Sequence, residues 1–384
     1  MWKSYLSNEC RRRNIRSGPT TLLDNEETGV ITLKNYLTTM SIPEATLPTL
    51  LRESVILEPD RVRILDRRVF PFKKTFVECL GYEDVARAIE DMVTQSNGPF
   101  FASSAGLVLA ARALNGEADA EERNRRMVLA GARLIATRST NNNIATAVGR
   151  ILQESATLTA TGPEFSAAVE AAVRRLWDER RAISRRIGAH AATLLHDGDL
   201  VLTHCWADAA FIETLAAAHR SGKRLEVTCT ETRPYLQGAR LTAHSVAELG
   251  LPVTVITDGM AAWAMDRGRV NVFITAADRV TMSGHVVNKI GTLQLAIAAN
   301  AYKLPYYVTV NQPDPKAPTP QDVPIEERDP QESLYCLGNR TATPLARGWY
   351  PSFDITPPSL VSAIICRQGI FPATTLQASI AANP

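Results

Sequence analysis

Apolar positions recur every three to four residues across the first half of the chain. This spacing predicts helices over residues 82–94, 102–115, 120–137, 143–155 and about 163–195. Before these helices, residues 51–71 alternate apolar and polar side chains, which is typical of short strands. Residues 1–50 follow neither period, and we expect them to form an N-terminal extension.

After residue 200 the apolar residues come in short continuous runs, at 200–204, 225–229, 253–256, 270–275 and 306–310. Helical patterns separate these runs, at 207–221, 241–249, 259–265 and 291–301. Short apolar strands that alternate with helices predict a doubly wound parallel sheet. The predicted fold class is therefore α/β. It has a helix-rich N-terminal domain with short strands at residues 51–178 and a Rossmann-like C-terminal domain at residues 179–384.

Composition narrows the functional classes. The 384 residues are 45% hydrophobic and 21% charged, and the formal net charge is +2. Such a balance gives no basic surface for nucleic acid, and no apolar stretch approaches the roughly 18 residues that suggest a transmembrane helix. The N-terminus lacks an apolar signal core, and the six cysteines lack the spacing of a zinc site. We therefore expect a cytoplasmic protein with reduced thiols.

Two reactive side chains follow predicted strands. Cys205 ends the run at 200–204, and Asp278 follows the run at 270–275. Ligands of an open α/β sheet bind beyond the carboxyl ends of its strands. The helix predicted after Cys205 should lower the pKa of its thiol, and a shielded carboxyl such as Asp278 can move a proton. From spacing alone, Cys205 can equally be a structural cysteine and Asp278 a cap or ion-pair partner.

Polar residues near other strand ends could bind a substrate. Asn288 and Lys289 precede a predicted helix whose free N–H groups suit a phosphate, although an ordinary helix cap explains them as well. Gln237 can bind a sugar hydroxyl and Arg138 a phosphate, but either can be a solvated surface residue. His204 adjoins Cys205, but neighbouring strand residues point to opposite faces, so we expect a packed histidine. The chain has no GxGxxG after the first run, no Walker loop and no HExxH.

At these positions the sequence becomes recognisable. It contains, in this order, THC at 203–205, TETRPYLQGARLTA at 230–243, ITDGMAAWAM at 256–265, AADRV at 276–280, NKIGT at 288–292, PIEERDP at 324–330 and FDITPP at 353–358. Together these motifs resemble the methylthioribose-1-phosphate isomerase family over residues 55–375. The superfamily also holds ribose-1,5-bisphosphate isomerases and the regulatory α, β and δ subunits of the guanine-nucleotide exchange factor of eukaryotic translation initiation.

The resemblance implies an aldose–ketose isomerase that opens a furanose 1-phosphate and moves its carbonyl from C1 to C2. It implies Cys205 and Asp278 as the catalytic pair, with either proton abstraction at C2 or a hydride shift from C2 to C1. It also implies that no metal or organic cofactor is needed and that the protein is a homodimer. The substrate-binding positions implied are Asn97, Gly98, Arg138, Gln237, Asn288 and Lys289.

Two departures leave the substrate open. The phosphate loop of the resembled family reads RGAPAIG, whereas residues 97–103 read NGPFFAS, so Asn97 replaces an arginine. Small residues usually follow the catalytic cysteine, but here Trp206, Ala207 and Asp208 do. We expect 5-methylthioribose 1-phosphate or a close 5-deoxy relative as the substrate. The alternatives are ribose 1,5-bisphosphate and a non-catalytic regulatory protein that binds a sugar or nucleotide phosphate.

Overall fold

The computed structural model describes residues 47–138 and 142–382. The predicted N-terminal extension, residues 1–50, therefore lies outside the described residues except for its last four. The following paragraphs concern the described ranges alone.

The first half is mainly helical. In chain order it contains α1 (Thr49–Arg52), β1 (Val55–Leu57), β2 (Val62–Leu65), β3 (Phe76–Cys79), α2 (Tyr82–Glu90), α3 (Gly98–Arg112), α4 (Ala120–Ala136), α5 (Asn142–Ser155) and α6 (Gly162–Ala192). The strands form an antiparallel sheet in the order β1-β2-β3. The strands predicted within 51–71 and the predicted helices are confirmed, but β3 was missed because it lies beyond the alternating segment.

Helix α3 is the centre of this half. Almost every one of its residues is buried, because α2, α4, α5 and α6 all pack against it. A helix that is apolar on all sides is stable only when it is enclosed in this way. It begins at Gly98, four residues before the predicted start, since Pro99 is well tolerated in the first helical turn. Its N-terminus carries Asn97 and Gly98 towards the second half of the chain.

The second half alternates strands and helices as predicted. In chain order it contains β4 (Leu200–Thr203), α7 (Asp208–Arg220), β5 (Glu226–Thr230), α8 (Ala243–Glu248), β6 (Val253–Ile256), α9 (Ala261–Asp266), β7 (Val272–Ala276), β8 (Arg279–Val280), β9 (Val286–Lys289), α10 (Thr292–Ala301), β10 (Tyr306–Thr309), β11 (Tyr335–Cys336), β12 (Asn339–Arg340), β13 (Phe353–Thr356), β14 (Ala363–Cys366), β15 (Gly369–Phe371) and α11 (Leu376–Ala381). Residues 238–242 form a π-helical turn before α8.

The main sheet runs in the order β15-β14-β10-β7-β4-β5-β6. All neighbours in it are parallel except β14 and β15. Counted along the chain, the parallel strands lie in the order 3-2-1-4-5-6, which is the doubly wound arrangement. The predicted α/β class is confirmed. The order reverses between β4 and β7, and at such a switch point the connections leave in opposite directions and open a crevice.

The sequence did not predict the smaller sheets of the second half. Strands β8, β9 and β13 form an antiparallel sheet, and β11 pairs with β12. Asn288 and Lys289, expected at a helix start, are residues of β9. Helix α6 runs without a break through the predicted domain boundary at residues 178 and 179, and this boundary stays a prediction.

Three further features bear on function. No helix of the described ranges is long and apolar enough to cross a membrane. The cysteines at 79, 205, 229, 336 and 366 carry free thiols. Within the same ranges, no group of three or more His, Cys, Asp and Glu side chains could hold a metal ion.

Candidate active site

Cys205 and Asp278 lie at the switch point of the parallel sheet. Strand β4 ends at Thr203, two residues before Cys205, and β7 ends at Ala276, two residues before Asp278. The two strands are neighbours in the sheet. Because the carboxyl ends of parallel strands meet at one edge, both side chains belong to the same crevice.

Residues 204–208, which we call the cysteine turn, are held firmly by threonines. The N–H of Cys205 donates to the Thr232 hydroxyl at 2.9 Å, and the Thr242 hydroxyl donates to the Cys205 carbonyl at 2.6 Å. Cys205 has a φ of +65°. This left-handed conformation costs a non-glycine residue about 1–2 kcal/mol. Strain of this kind persists only where the surroundings impose it, and it is concentrated at functional sites.

The thiol of Cys205 does not have the lowered pKa that the sequence led us to expect. Cys205 is only 8% exposed, and burial raises the pKa of its thiol to about 11, although the nearby Lys289 charge opposes this. The expectation was wrong because α7 begins only at Asp208, three residues later, and because Trp206 is buried beside the thiol. At neutral pH the thiol is therefore protonated.

Asp278 is open to solvent on one side while protein surrounds its other sides. Burial raises the pKa of its carboxyl, and the charges of Lys289, Arg138 and Arg279 oppose that rise. The negative charge of Glu326 raises the pKa further. A carboxyl that has a raised pKa and can be reached from a crevice is suited to general acid–base chemistry.

Lys289 supplies a buried cation to the same crevice. It is 7% exposed, and its ammonium lies 4.8 Å from the centroid of the Phe353 ring and 5.6 Å from that of Tyr350. Burial lowers its pKa, whereas Cys205 and Asp278 raise it. Aromatic faces stabilise a desolvated cation. Sequence reasoning missed the two rings because they come from the segment after residue 349, more than 60 positions along the chain.

His204 joins the cysteine turn to the turn between β9 and α10. Its Nδ1 lies 2.6 Å from the Thr230 hydroxyl and its Nε2 lies 3.0 Å from the Ile290 carbonyl. Since a carbonyl only accepts, Nε2 carries the proton and Nδ1 accepts from Thr230. Burial lowers the His204 pKa. The expectation of a packed histidine is confirmed, because His204 is 2% exposed.

The N-terminus of α10 is already occupied. The N–H groups of Gly291 and Leu293 donate to the Asp354 carboxylate at 2.7 and 3.1 Å. The expectation that these N–H groups are free for a phosphate is therefore wrong. Asn288 is also engaged, since its amide donates to the Thr292 hydroxyl at 3.1 Å.

The two remaining candidates come from separate elements. Gln237 follows β5 on the segment that carries Thr232, and it is 5% exposed. Its Oε1 has no hydrogen-bond partner within the described ranges, and a buried polar atom without a partner calls for an explanation such as a ligand. Arg138 is half-buried at the end of α4. Its positive charge opposes the rise in the pKa of Asp278.

Asn97 and Gly98 meet the far end of the cysteine turn. The Nδ2 group of Asn97 donates to the Asp208 carboxylate, and Arg180 of α6 donates to the side-chain oxygen Oδ1 of Asn97 at 2.5 Å. A Cβ atom at Gly98 would lie 3.3 Å from Nη2 of Arg67. Sequence reasoning missed both arginines, because each is one of many basic residues and neither belongs to a motif.

Two surface cavities lie near the crevice without containing its reactive groups. One, of about 440 Å³, is lined in part by His204, Ile290 and Asp354. The other, of about 400 Å³, is lined in part by Phe72 and Tyr235. Cys205 and Asp278 line neither cavity. We therefore define the candidate site by the side chains that converge at the switch point rather than by cavity size.

The sequence is similar to known proteins over most of its length. The model of the initiation factor 2 subunit family matches residues 100–373. A methylthioribose-1-phosphate isomerase from Anaeromyxobacter dehalogenans is 39% identical over 320 residues, which are 81% of this chain and 91% of the relative. An enzyme of the same name from Pelotomaculum thermopropionicum is 36% identical over 327 residues, which are 80% of this chain and 88% of the relative.

Solved structures give a similar result. The 5-methylthioribose 1-phosphate isomerase from Pyrococcus horikoshii superposes with a TM-score of 0.78 at 28% identity, covering 88% of this chain and 98% of that one. The δ subunit of translation initiation factor eIF-2B from A. fulgidus superposes with a TM-score of 0.75 at 30% identity, covering 85% and 96%. The same fold thus occurs in an isomerase and in a subunit of a translation factor.

Proposed function

The chain belongs to the initiation factor 2 subunit family, and we propose that within this family it is an aldose–ketose isomerase of a sugar 1-phosphate. That the chain is an isomerase rests on curated relatives that are 35–39% identical to it over 80–81% of its length. As substrate we propose 5-methylthioribose 1-phosphate or a close 5-deoxy relative, with the corresponding ribulose 1-phosphate as product. The observation that carries the proposal is the convergence of Cys205, Asp278 and Lys289 at the switch point.

In the proposed reaction Asp278 moves the protons. Its carboxyl, with a raised pKa, donates a proton to the ring oxygen as the bond between that oxygen and C1 breaks. The hydrogen on C2 then moves to C1 with its electron pair. The C2 hydroxyl becomes the carbonyl and returns its proton to the Asp278 carboxylate. One residue thus serves as acid and then as base, and no atom is gained or lost.

The state of Cys205 supports this hydride route over proton abstraction at C2. A thiol whose pKa is raised to about 11 is protonated at neutral pH and is a poor base. We assign Cys205 to the wall of the crevice beside the reacting carbons, where its low polarity keeps water away from the charged intermediate. The same wall contains Trp206, which is buried.

The remaining candidates would bind the substrate. We assign Lys289, Arg138 and Asn288 to the phosphate, since a buried ammonium and a guanidinium together can balance a dianion. The unpartnered Oε1 of Gln237 suits a sugar hydroxyl. We assign Asn97 and Gly98, at the position of the resembled family's phosphate loop, to further polar contacts with the substrate.

A non-catalytic regulatory role is the second candidate. It is favoured by the TM-score of 0.75 to the archaeal translation-factor subunit, which is close to the value of 0.78 for the isomerase. Asn97 in place of an arginine also supports it, since one cation that the resemblance implies is absent. The presence of both Cys205 and Asp278 in one crevice favours catalysis.

We also propose a cytoplasmic homodimer. Helix α9 packs against α10, and the pair exposes apolar side chains at Trp263 (59%), Ile297 (53%) and Tyr302 (42%). An exposed apolar patch of this kind often marks an interface between subunits. Sedimentation of the protein beside a Trp263→Glu variant tests this, and a wild-type monomer would contradict it.

Turnover of defined sugar phosphates tests the proposed function. Purified protein is incubated with 5-methylthioribose 1-phosphate, ribose 1-phosphate or ribose 1,5-bisphosphate, and the anomeric proton is followed by NMR. We expect its signal to disappear with the first sugar as a ketose forms. Substrate carrying deuterium at C2 should retain the deuterium at C1 of the product. Persistence of the anomeric signal with all three sugars would contradict the isomerase proposal and favour the regulatory role.

A further inference from the structure

The turn that follows β5, residues 231–238, is strained, and we call it the β5 turn. Thr232 and Leu236 both have a φ of +63°. For a β-branched residue such as Thr232 this left-handed conformation is an outlier that persists only where the surroundings impose it. The turn also packs closely over the end of β5, because a Cβ atom at Gly238 would lie 1.9 Å from the Thr230 carbonyl oxygen. Some neighbouring group must therefore hold the β5 turn in this shape.

Asp258 is that group. It lies two residues after the end of β6, which is the parallel neighbour of β5 in the sheet. One oxygen of its carboxylate accepts from the N–H of Thr232 and the other accepts from the N–H of Arg233, both at 2.8 Å. Hydrogen bonds to a carboxylate are about twice as strong as those between neutral groups. Asp258 thus stabilises the left-handed backbone of Thr232.

The β5 turn contacts the active-site crevice at two places. The Thr232 hydroxyl accepts from the N–H of Cys205 at 2.9 Å, so the position of this hydroxyl helps to fix the cysteine turn. Gln237 lies five residues after Thr232 on the β5 turn and is 5% exposed. A residue of the crevice wall and a proposed substrate-binding residue therefore both depend on the shape of one turn.

Asp258 itself faces away from the reacting groups. It lines the cavity of about 440 Å³, which contains neither Cys205 nor Asp278. One of its carboxylate oxygens lies 4.0 Å from Nδ1 of His204, which is too far for a hydrogen bond. Any influence of Asp258 on the reaction must therefore pass through the β5 turn.

We propose that Asp258 is a positioning residue of the active site, which holds the β5 turn in its left-handed conformation and thereby places Cys205 and Gln237 for the reaction. The inference rests on the proposed function, because that function states what the two residues are placed for. The carboxylate holds the Thr232 backbone, and the Thr232 hydroxyl holds the N–H of Cys205. Without the carboxylate the strained backbone should relax and the hydroxyl should move away from Cys205.

Thiol alkylation and turnover, measured on the same variants, test the inference. Asp258→Asn keeps the size of the side chain but sets an amide NH₂ group against one of the two N–H donors. Asp258→Ser keeps an acceptor without that conflict and replaces the Asn variant if the latter does not fold. Asp199→Asn is the matched control. Asp199 is 8% exposed and accepts from the N–H of His196 at 2.7 Å, but it precedes β4 at the opposite edge of the sheet.

We expect Asp258→Asn to raise the rate at which iodoacetamide modifies Cys205 by about tenfold and to lower kcat/KM by about tenfold, as when a hydrogen bond to a charged group is lost. Cys229 of β5 is fully buried and should stay unmodified, which separates a local movement from general unfolding. Asp199→Asn should leave the Cys205 rate and kcat/KM within about twofold of the wild type.

A second background identifies the cause of these changes. Thr232→Ser keeps the hydroxyl that accepts from Cys205 but removes the branch at Cβ, so the left-handed backbone is less strained. In this background Asp258→Asn should change both quantities by about threefold or less. The loss of a negative charge near the thiol would instead act equally in both backgrounds.

The inference is overturned if Asp258→Asn leaves the Cys205 rate unchanged, if Cys229 becomes reactive together with Cys205, or if the effect of Asp258→Asn is equal in the two backgrounds. A wild-type protein that isomerises none of the sugars contradicts the proposed function instead. The thiol rates need no turnover and still test how Cys205 is held.

Discussion

The two ends of the cysteine turn differ in the groups that surround their buried cations. At the first end, His204 contacts the turn that follows Lys289, and this buried ammonium faces aromatic rings. At the second end, Arg67 and Arg180 share one nearby carboxylate, that of Asp208, which offsets part of their positive charge. The comparison teaches that the number of basic residues around a crevice does not set its affinity for anions. What matters is how much of their charge the protein has already neutralised.

The largest expected effect is a loss of turnover without a matching loss of substrate binding. Asp278→Asn should lower kcat by about a hundred- to ten-thousand-fold, as is usual when a general acid–base group is lost. Binding of the substrate should change little, because neither end of the turn loses a cation. Steady-state kinetics and calorimetry measure the two quantities. Asp266→Asn is the control, because the Asp266 side chain at the end of α9 is exposed. Near-normal turnover of the Asp278 variant would remove Asp278 from the mechanism.

The next effect compares the two ends directly. Lys289→Ala should weaken binding of ribitol 1-phosphate, an analogue that has no carbonyl and cannot isomerise, by about ten- to a hundredfold, the range expected for a hydrogen bond to a charged group. Arg180→Ala should change it by less than about threefold, since Arg180 already donates to the side-chain carbonyl of Asn97 and Asp208 offsets part of its charge. Titration calorimetry on both variants measures the two losses of affinity. Equal losses would mean that both ends bind the phosphate.

Replacement of Lys316 by alanine controls for a general loss of positive charge, because Lys316 is exposed. The affinity of this variant for ribitol 1-phosphate should equal that of the wild type.

A smaller effect concerns the Cys205 thiol. Because its pKa is raised to about 11, its thiolate fraction and its rate of alkylation should rise about tenfold for each pH unit between 7 and 10. At pH 7 iodoacetamide should modify Cys205 more slowly than the half-buried Cys336. Mass-spectrometric mapping over time measures both rates. A Cys205 rate that levels off near pH 7 would mean that the thiol is acidic after all.

The smallest effect lies in stability at the first end of the turn. Burial raises the Asp354 pKa to about 6, above its value in the unfolded chain, so the folded state binds the extra proton between about pH 4 and 6. Stability from this group is therefore present at low pH and is lost as the pH rises through about 6. A difference of about two pKa units corresponds to at most about 3 kcal/mol.

Asp354→Asn tests this sign. The wild-type Tm minus the variant Tm should be larger at pH 4 than at pH 7, since only the wild type gains the proton. Calorimetric melting at the two pH values measures the difference. The Asn side chain can still accept from the N–H groups of Gly291 and Leu293, so the cap itself is retained. A difference that grows with pH would mean that the Asp354 pKa is lowered.

Much of the fold could be predicted from the sequence. The strand at 253–256 matched its predicted bounds, and the helix predicted at 120–137 ended within one residue, because periodic burial is a local property of the sequence. The same reasoning put Cys205 and Asp278 after two strands. It also put Asn288 and Lys289 at a helix start, which was wrong, because β9 exists only through its pairing with β8 and β13.

The sequence by itself determined which residues follow which strands, and through its motifs it determined the family. Only the tertiary structure decided that β4 and β7 are neighbours, that Asp354 occupies the N-terminus of α10, and that Asp208 faces two distant arginines. The pKa of Cys205 was decided in the same way, since burial outweighed the helix dipole. The physical reason is that periodicity and capping act over a few residues. Strand order, desolvation and charge balance depend on segments that folding brings together from far apart in the chain.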